Sequence, residues 1–290
     1  MYSFEVFLSS LRVLAVGTIQ GVYFYIGHNV SRDRAYRKRG MVNVAAFLSY
    51  AKTVAVYNTV CDEQNVDRYG DKYPLSNACG QYGSNYQNMR CDPNESHMEC
   101  PPDPSLQMTA VAPLATSDAQ PPPFFCGSRE YFPSTGYYNG ETKLVMNDEP
   151  FANRAGRTDV QSCCFWGRGA AQVKGACLYG KLNYYIGARA EEEGRRSLFP
   201  TVDFCQYPQA ICSGQFSYNL MWITGMFAWI ELIQSQSDYS EFLENYVADE
   251  MNDEEFIAAV SDILGSSERE RIDIRVNFIL AIDAVGLNQF

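Results

Sequence analysis

Histidine is almost missing from this chain: His28 and His97 are the only two in 290 residues. None of its ten cysteines forms a Cys-x-x-Cys pair. Zinc sites need clustered thiolates and imidazoles at such spacings, so no metal site is expected and no cofactor is implied. Basic charge is short as well, with 23 Lys and Arg against 34 Asp and Glu, a formal net charge of −11. So few cations cannot neutralise a run of phosphates, which argues against a nucleic-acid partner. No internal repeat emerges, and strand-like segments are limited to short pieces of the middle third.

The cysteines that are present form an even set: Cys61, Cys79, Cys91, Cys100, Cys126, Cys163, Cys164, Cys177, Cys205 and Cys212. They read as disulfides formed in an oxidising compartment, with a pairing the sequence leaves open. Sequons at Asn29-Val30-Ser31 and Asn94-Glu95-Ser96 fit a secreted chain. Met1 opens no visible signal peptide, so the chain reads as a mature or trimmed secreted form. Its length and 46% hydrophobic content suffice for one large domain or two small lobes.

Two stretches mimic targeting elements. Val6 to Gly27 is apolar but interrupted by Arg12, Gly17, Gln20 and Gly21. Phe4, Phe7, Leu8, Leu11 and Ala15 predict one face of an amphipathic helix there, and no membrane span. The basic run Arg32 to Arg39 reads as a solvated loop.

Three stretches of different character follow. Residues 1–60 predict two helices, the second from about Val42 to Thr59 with Val44, Phe47, Leu48, Ala51 and Ala55 on one side. Residues 61–162 are irregular, with five cysteines, Pro101-Pro102 and Pro121-Pro122-Pro123. A loop that long counts against a compact domain unless disulfides staple it, so it is expected to be a crosslinked insertion. Residues 163–290 return to helix. Leu220 to Ile230 is apolar nearly all round and predicts a buried central helix. Phe256, Ile257, Val260, Ile263 and Leu264 keep helical spacing up to Gly265, a C-cap. Ser267 then opens a last helix, with Ile272, Val276, Ile279 and Ile282 expected to face inward.

The chemistry concentrates in Cys163-Cys164-Phe165-Trp166-Gly167-Arg168-Gly169-Ala170-Ala171-Gln172, continuing through Tyr179-Gly180-Lys181-Leu182-Asn183-Tyr184-Tyr185. Glycines let a backbone approach a ligand closely. Arg168 and Gln172 supply fixed donors beside them, and the aromatics offer stacking faces. A Gly-Arg-Gly turn alone is more often a surface turn with an ion pair.

The longer run resembles the aromatic-Gly-Arg-Gly-x-x-Gln signature of glycoside hydrolase family 19, the plant-type chitinases. It looks most like the cysteine-rich algal branch, where the signature continues into Gly-Lys-Leu-Asn-Tyr. Ala45-Ala46-Phe47-Leu48 is similar to the family's Ala-Ala-Phe-[Phe/Leu]. Tyr207-Pro208 with Met221 to Trp229 resembles its Asn-Pro-Asp segment and tryptophan-rich helix, and Arg275-Val276-Asn277-Phe278 its C-terminal Arg-Ile-Gly-Phe. The blocks keep family order across nearly the whole chain. The resemblance implies a mainly helical, lysozyme-like, two-lobed fold with the substrate cleft between the lobes. It also implies polymers of β-1,4-linked N-acetylglucosamine, such as chitin, as the ligand. It assigns substrate contact to Trp166, Arg168, Gln172, Lys174, Tyr179, Asn183 and Arg275.

An inverting glycosidase needs an acid and a base, about 6.5–9.5 Å apart. The family's acid lies six residues after Ala-Ala-Phe-[Phe/Leu], and here that position is Val54. No register shift supplies an alternative, because no Asp or Glu occurs between Asp33 and Asp62. The family's Ser or Thr two residues after the signature glutamine is Lys174, and its sugar-contacting Asn is Leu178. Asp62 and Glu63 are candidate substitutes for the acid, Glu63 the better, although loop carboxylates are ordinarily solvated. Loop tyrosines such as Tyr57, Tyr69, Tyr73, Tyr137 and Tyr138 offer further sugar-stacking surfaces. The expectation is a catalytically degenerate glycan binder or extracellular structural protein. The alternatives are a hydrolase with a relocated acid and an assembly subunit that binds no sugar.

Overall fold

The computed structural model describes residues 2–16, 23–26, 34–56, 61, 63–66, 72–74, 89–101, 106–110, 124–128, 136–139, 144–147, 165–214 and 219–284. Asp62, Asn29, Cys163 and Cys164 lie outside them, as do Tyr57 and Tyr69. The architecture is mainly helical. Three two-stranded antiparallel ladders occupy the cysteine-rich stretch: β1 (Gln64–Val66) with β2 (Lys72–Pro74), β3 (Leu106–Ala110) with β4 (Phe124–Ser128), and β5 (Gly136–Asn139) with β6 (Leu144–Asn147). The chain divides into two compact units, residues 1–61, 169–171 and 217–290 in the first, and 62–168 and 172–216 in the second.

The first unit opens with α1 (Phe4–Val16). Ser3 caps it by accepting from the Val6 N–H at 3.3 Å. Its buried line is Phe7, Ser10 and Leu14, rotated from the expected face, so that Phe4 is 68% exposed. Phe7 makes an edge contact with Trp222 at 5.1 Å between ring centroids, and Ser10 satisfies its hydroxyl on the Val6 carbonyl. Helix α2 (Arg34–Ala51) continues into a π-helical turn, Lys52–Val56. The basic run expected to be a loop is therefore helical from Arg34 onward. Arg and Lys are good helix formers, and Arg39 is drawn to Glu244 at 2.6 Å.

Every residue of α6 (Leu220–Trp229) is buried, as its nearly all-round apolar composition predicted. A second π-helical turn, Ile230–Gln234, extends it. Asn43 on α2 is the polar centre of this core. Its Oδ1 accepts from Trp229 Nε1 at 2.9 Å and from the Tyr239 hydroxyl at 2.7 Å. Its Nδ2 donates to the Tyr25 carbonyl and to Gln234 Oε1. Burial is the main reason the Tyr239 hydroxyl is pushed far above the usual tyrosine range.

Helices α7 (Tyr239–Val247), α8 (Asp253–Leu264) and α9 (Glu268–Ala284) complete this unit. Asn252 and Glu255 form a reciprocal capping box on α8, and Gly265 ends it at φ 63°. On α9 the buried residues are Ile274, Phe278 and Ile282. The expectation that Ile272, Val276 and Ile279 face inward is overturned: they are 56%, 53% and 37% exposed. Phe278 packs instead against Phe256 and Tyr246, with centroids 5.4 and 5.6 Å away.

In the second unit, α3 (Ala176–Ile186), α4 (Ala188–Glu192) and α5 (Ala210–Ser213) follow the signature. Disulfides Cys91–Cys177 and Cys100–Cys205 tie the segment 89–101 onto α3 and the chain beyond it. Cys61 and Cys212 are disulfide-bonded as well. Gly180 is the point of closest approach, because a Cβ there would lie under 3.0 Å from the backbone of Met98, Glu99 and Cys100. Beside it, Lys181 is buried and reaches Glu95 at 2.9 Å.

Candidate functional site

The two ends of the signature turn, Arg168 and Gln172 with Val173, belong to the second unit, and Gly169–Ala171 between them are counted with the first. Arg168 and Val173 close it through paired backbone hydrogen bonds of 3.0 and 2.8 Å. The chain reverses between them through positive φ at Gly169 (78°) and at Gln172 (49°). A glutamine there costs strain that a glycine would avoid, and the conformation aims its amide back at Gly167. A Cβ added to Gly167 would lie 2.9 Å from Gln172 Oε1 and 3.3 Å from Glu63 Oε2. The first signature glycine thus leaves open the space that two polar side chains share.

Glu63 reaches this space by pairing with the turn. Its backbone N–H donates to the Gly167 carbonyl at 2.7 Å, and the Gly167 N–H donates to its Oε2 at 2.8 Å. It is half-buried. The ordinary expectation for such a residue, a solvated loop charge, does not describe it. Its Oε2 therefore serves as a hydrogen-bond acceptor towards the turn.

Beneath the turn, Arg168 is fully buried. Its guanidinium stacks 4.1 Å above the Trp166 ring, and Nη1 donates to the Tyr179 hydroxyl at 2.8 Å. That hydroxyl donates in turn to the Trp166 carbonyl at 2.9 Å. Trp166 and Tyr179 are buried too, at 6% and 0% exposure. A buried cation needs such partners to offset its lost hydration, and this cluster fixes the turn from within. The same cluster leaves none of the three with much surface for a ligand.

The remaining expected contacts are distributed differently. Asn183 is buried one turn further along α3, where it donates to Asp203 Oδ1 at 2.9 Å and accepts from the Phe204 N–H. Its amide is occupied at both ends by protein. Lys174 is exposed. Arg275 belongs to the first unit, on α9, and pairs with Glu254 at 3.0 Å. Val54 also belongs to the first unit, half-buried in the π-helical turn. There Thr53 donates to the Ser49 carbonyl at 2.9 Å and accepts from Asn277 at 3.0 Å. Such a relay offers the carbonyl ladder an alternative partner at this turn. Structure therefore gathers Glu63, Trp166, Arg168, Gln172 and Tyr179 around one turn. It uses Asn183 elsewhere in the same unit.

Among the described residues no helix is long and apolar enough to cross a membrane, and no cluster of three His, Cys, Asp or Glu is arranged to hold a metal ion. A cavity of about 280 Å³ in the first unit is lined by Lys38, Tyr246, Asp249, Asn252 and Asp253 among others, and by none of the expected site residues. Sequence reasoning missed Asn43. Its signal was present only as a polar residue within a largely apolar helical face.

No protein-family model matches the chain, and no curated protein matches it.

Proposed function

We propose that this chain is a secreted, chitinase-like protein of the family 19 type that binds polymers of N-acetylglucosamine and has lost their hydrolysis. One observation carries the reading. The helix from Arg34 through Val56 has no carboxylate anywhere along it, and Val54 occupies the position from which the family's acid would act. Valine has no proton to give, and general acid–base groups contribute about 10²–10⁴-fold each. The lysozyme-like fold is part of the same proposal, supported by the mainly helical architecture and by blocks that keep family order.

Support for binding comes from the turn. Trp166, Arg168 and Tyr179 act as its internal frame, while half-buried Glu63 and Gln172 and exposed Lys174 supply the polar groups that a sugar would meet. Carboxylate and amide side chains are suited to the hydroxyl and acetamido groups of such a polymer. Disulfides and the exposed sequon at Asn94 accord with an extracellular setting. Calorimetric titration with N-acetylglucosamine oligomers tests the reading. Saturable heat that a Gln172→Ala variant weakens is expected. No heat with the wild-type protein would refute binding and favour an assembly subunit.

A second reading, a working hydrolase, is favoured by the contact of the Glu63 carboxylate with the signature turn. In that case Glu63→Gln abolishes a turnover that the wild-type protein displays. Equal turnover in the two proteins removes Glu63 from the chemistry.

A further inference from the structure

Helix α9 carries two apolar stripes, and the fold covers one of them. Ile274, Phe278 and Ile282 are buried, whereas Ile272, Val276 and Leu280 are each more than half exposed and Ile279 is 37% exposed. With about 100° of rotation per residue, the two sets lie about 150° apart around the helix. Isolated exposed apolar side chains need no explanation, but four along one stripe mark a surface made for contact.

We infer that this stripe joins two copies of the chain, with α9 packed antiparallel against α9 of the second copy and the twofold axis at Val276. The occupant follows from the order of residues along the stripe. In an antiparallel pair centred on Val276, residues equally spaced before and after it face each other. Ile272 then meets Leu280, and Val276 meets its own copy. One turn beyond, exposed Arg269 meets exposed Asp283. Along the centre of the stripe apolar side chains face apolar ones, Ile279 lies at its margin opposite exposed Asp273, and a cation faces an anion at each end of the contact. A parallel pair would set Arg269 against Arg269 and Asp283 against Asp283, which like-charge repulsion disfavours. The span from Arg269 to Asp283 is about 21 Å and lies within α9. The buried face of the same helix, held against α2 and α8, fixes it as a rigid element.

A contact made by one helix from each copy is smaller than the roughly 1,600 Å² of a standard interface, so a dissociation constant on the order of 10⁻⁵–10⁻⁴ M is expected. Sedimentation velocity of the full chain from roughly 1 to 300 µM spans that range. A shift from monomer to dimer with concentration is expected. Val276→Glu places two carboxylates at the axis and raises the constant about a hundredfold. Val276 is more than half exposed, so this variant keeps its fold, which its melting temperature verifies. The charge swap tests register separately. Arg269→Asp and Asp283→Arg each weaken the dimer, and the double variant regains it. A monomer at every concentration, a dimer indifferent to Val276→Glu, or a swap that fails to restore association would each overturn the inference.

Discussion

Replacing Gly180 by alanine isolates the packing of the stapled segment on α3. Two effects oppose each other. Inside a helix, alanine is favoured over glycine by about 1 kcal/mol. Against this, the new Cβ would sit under 3.0 Å from Cys100 N, Met98 O and Glu99 C, all backbone atoms. These cannot retreat easily. Cys100 is bonded to Cys205, and its N–H donates to the Ala176 carbonyl at 3.1 Å. Glu99 is paired with Arg90, and Cys91 is bonded to Cys177. Overpacking against fixed atoms costs about 1–3 kcal/mol or more, and three backbone contacts put this site at or above the upper end. A net loss of about 2 kcal/mol follows, which lowers Tm by about 3 °C in a chain of this size. Thermal unfolding monitored by circular dichroism under non-reducing conditions reads the shift. An unchanged or raised Tm would refute the close packing of the segment on α3.

Three further perturbations address other parts of the structure. Asn43→Ala strips the acceptor from Trp229 Nε1 and the Tyr239 hydroxyl; a loss of about 3–5 kcal/mol is expected in urea unfolding, and a loss below about 1 kcal/mol would contradict the polar centre of the first unit. Reducing Cys91–Cys177 and Cys100–Cys205, which span 86 and 105 residues, removes about 4–5 kcal/mol each by the chain-entropy relation, whereas an unfolding midpoint indifferent to full reduction would count against them. Burial raises Tyr25 and Tyr50 to about 12, the former also through Tyr36 and the latter also through Glu270. Because their folded pKa exceeds the unfolded one, their contribution is complete below about pH 10 and is lost as pH climbs from there through 12. Phenolate absorbance should therefore rise together with the loss of helical signal, and ionisation of every tyrosine near pH 10 in a still-folded chain would contradict it.

The sequence and the structure agree most where a pattern admits one solution. Leu220 to Trp229 has no polar face, so burial was its only option. Asn252, Glu255 and Gly265 carry the ends of α8 in their own chemistry. Helix α9 was misread because it has apolar residues on two sides, and periodicity alone cannot choose between them. The basic run from Arg34 was misread for the opposite reason, since its charges are compatible with loop and helix alike and Glu244, far along the chain, supplies the partner. At the candidate site the signature located the turn. It did not reveal that Arg168 and Tyr179 hold the turn from inside, because a buried and a ligand-facing arginine look the same in sequence. Nor could it bring Glu63 to Gly167, a contact between residues 104 positions apart that rests on a main-chain pairing.

The proposed loss of the proton donor is tested most directly by hydrolysis measured beside binding. Purified protein that takes up N-acetylglucosamine oligomers in the calorimeter should, over the same incubation, cleave them at least about 10²-fold more slowly than an intact acid–base pair allows. Chromatography of the oligomers reads the outcome. Intact chains after saturating uptake are the expected result, and cleavage at about 1 s⁻¹ or faster would contradict it.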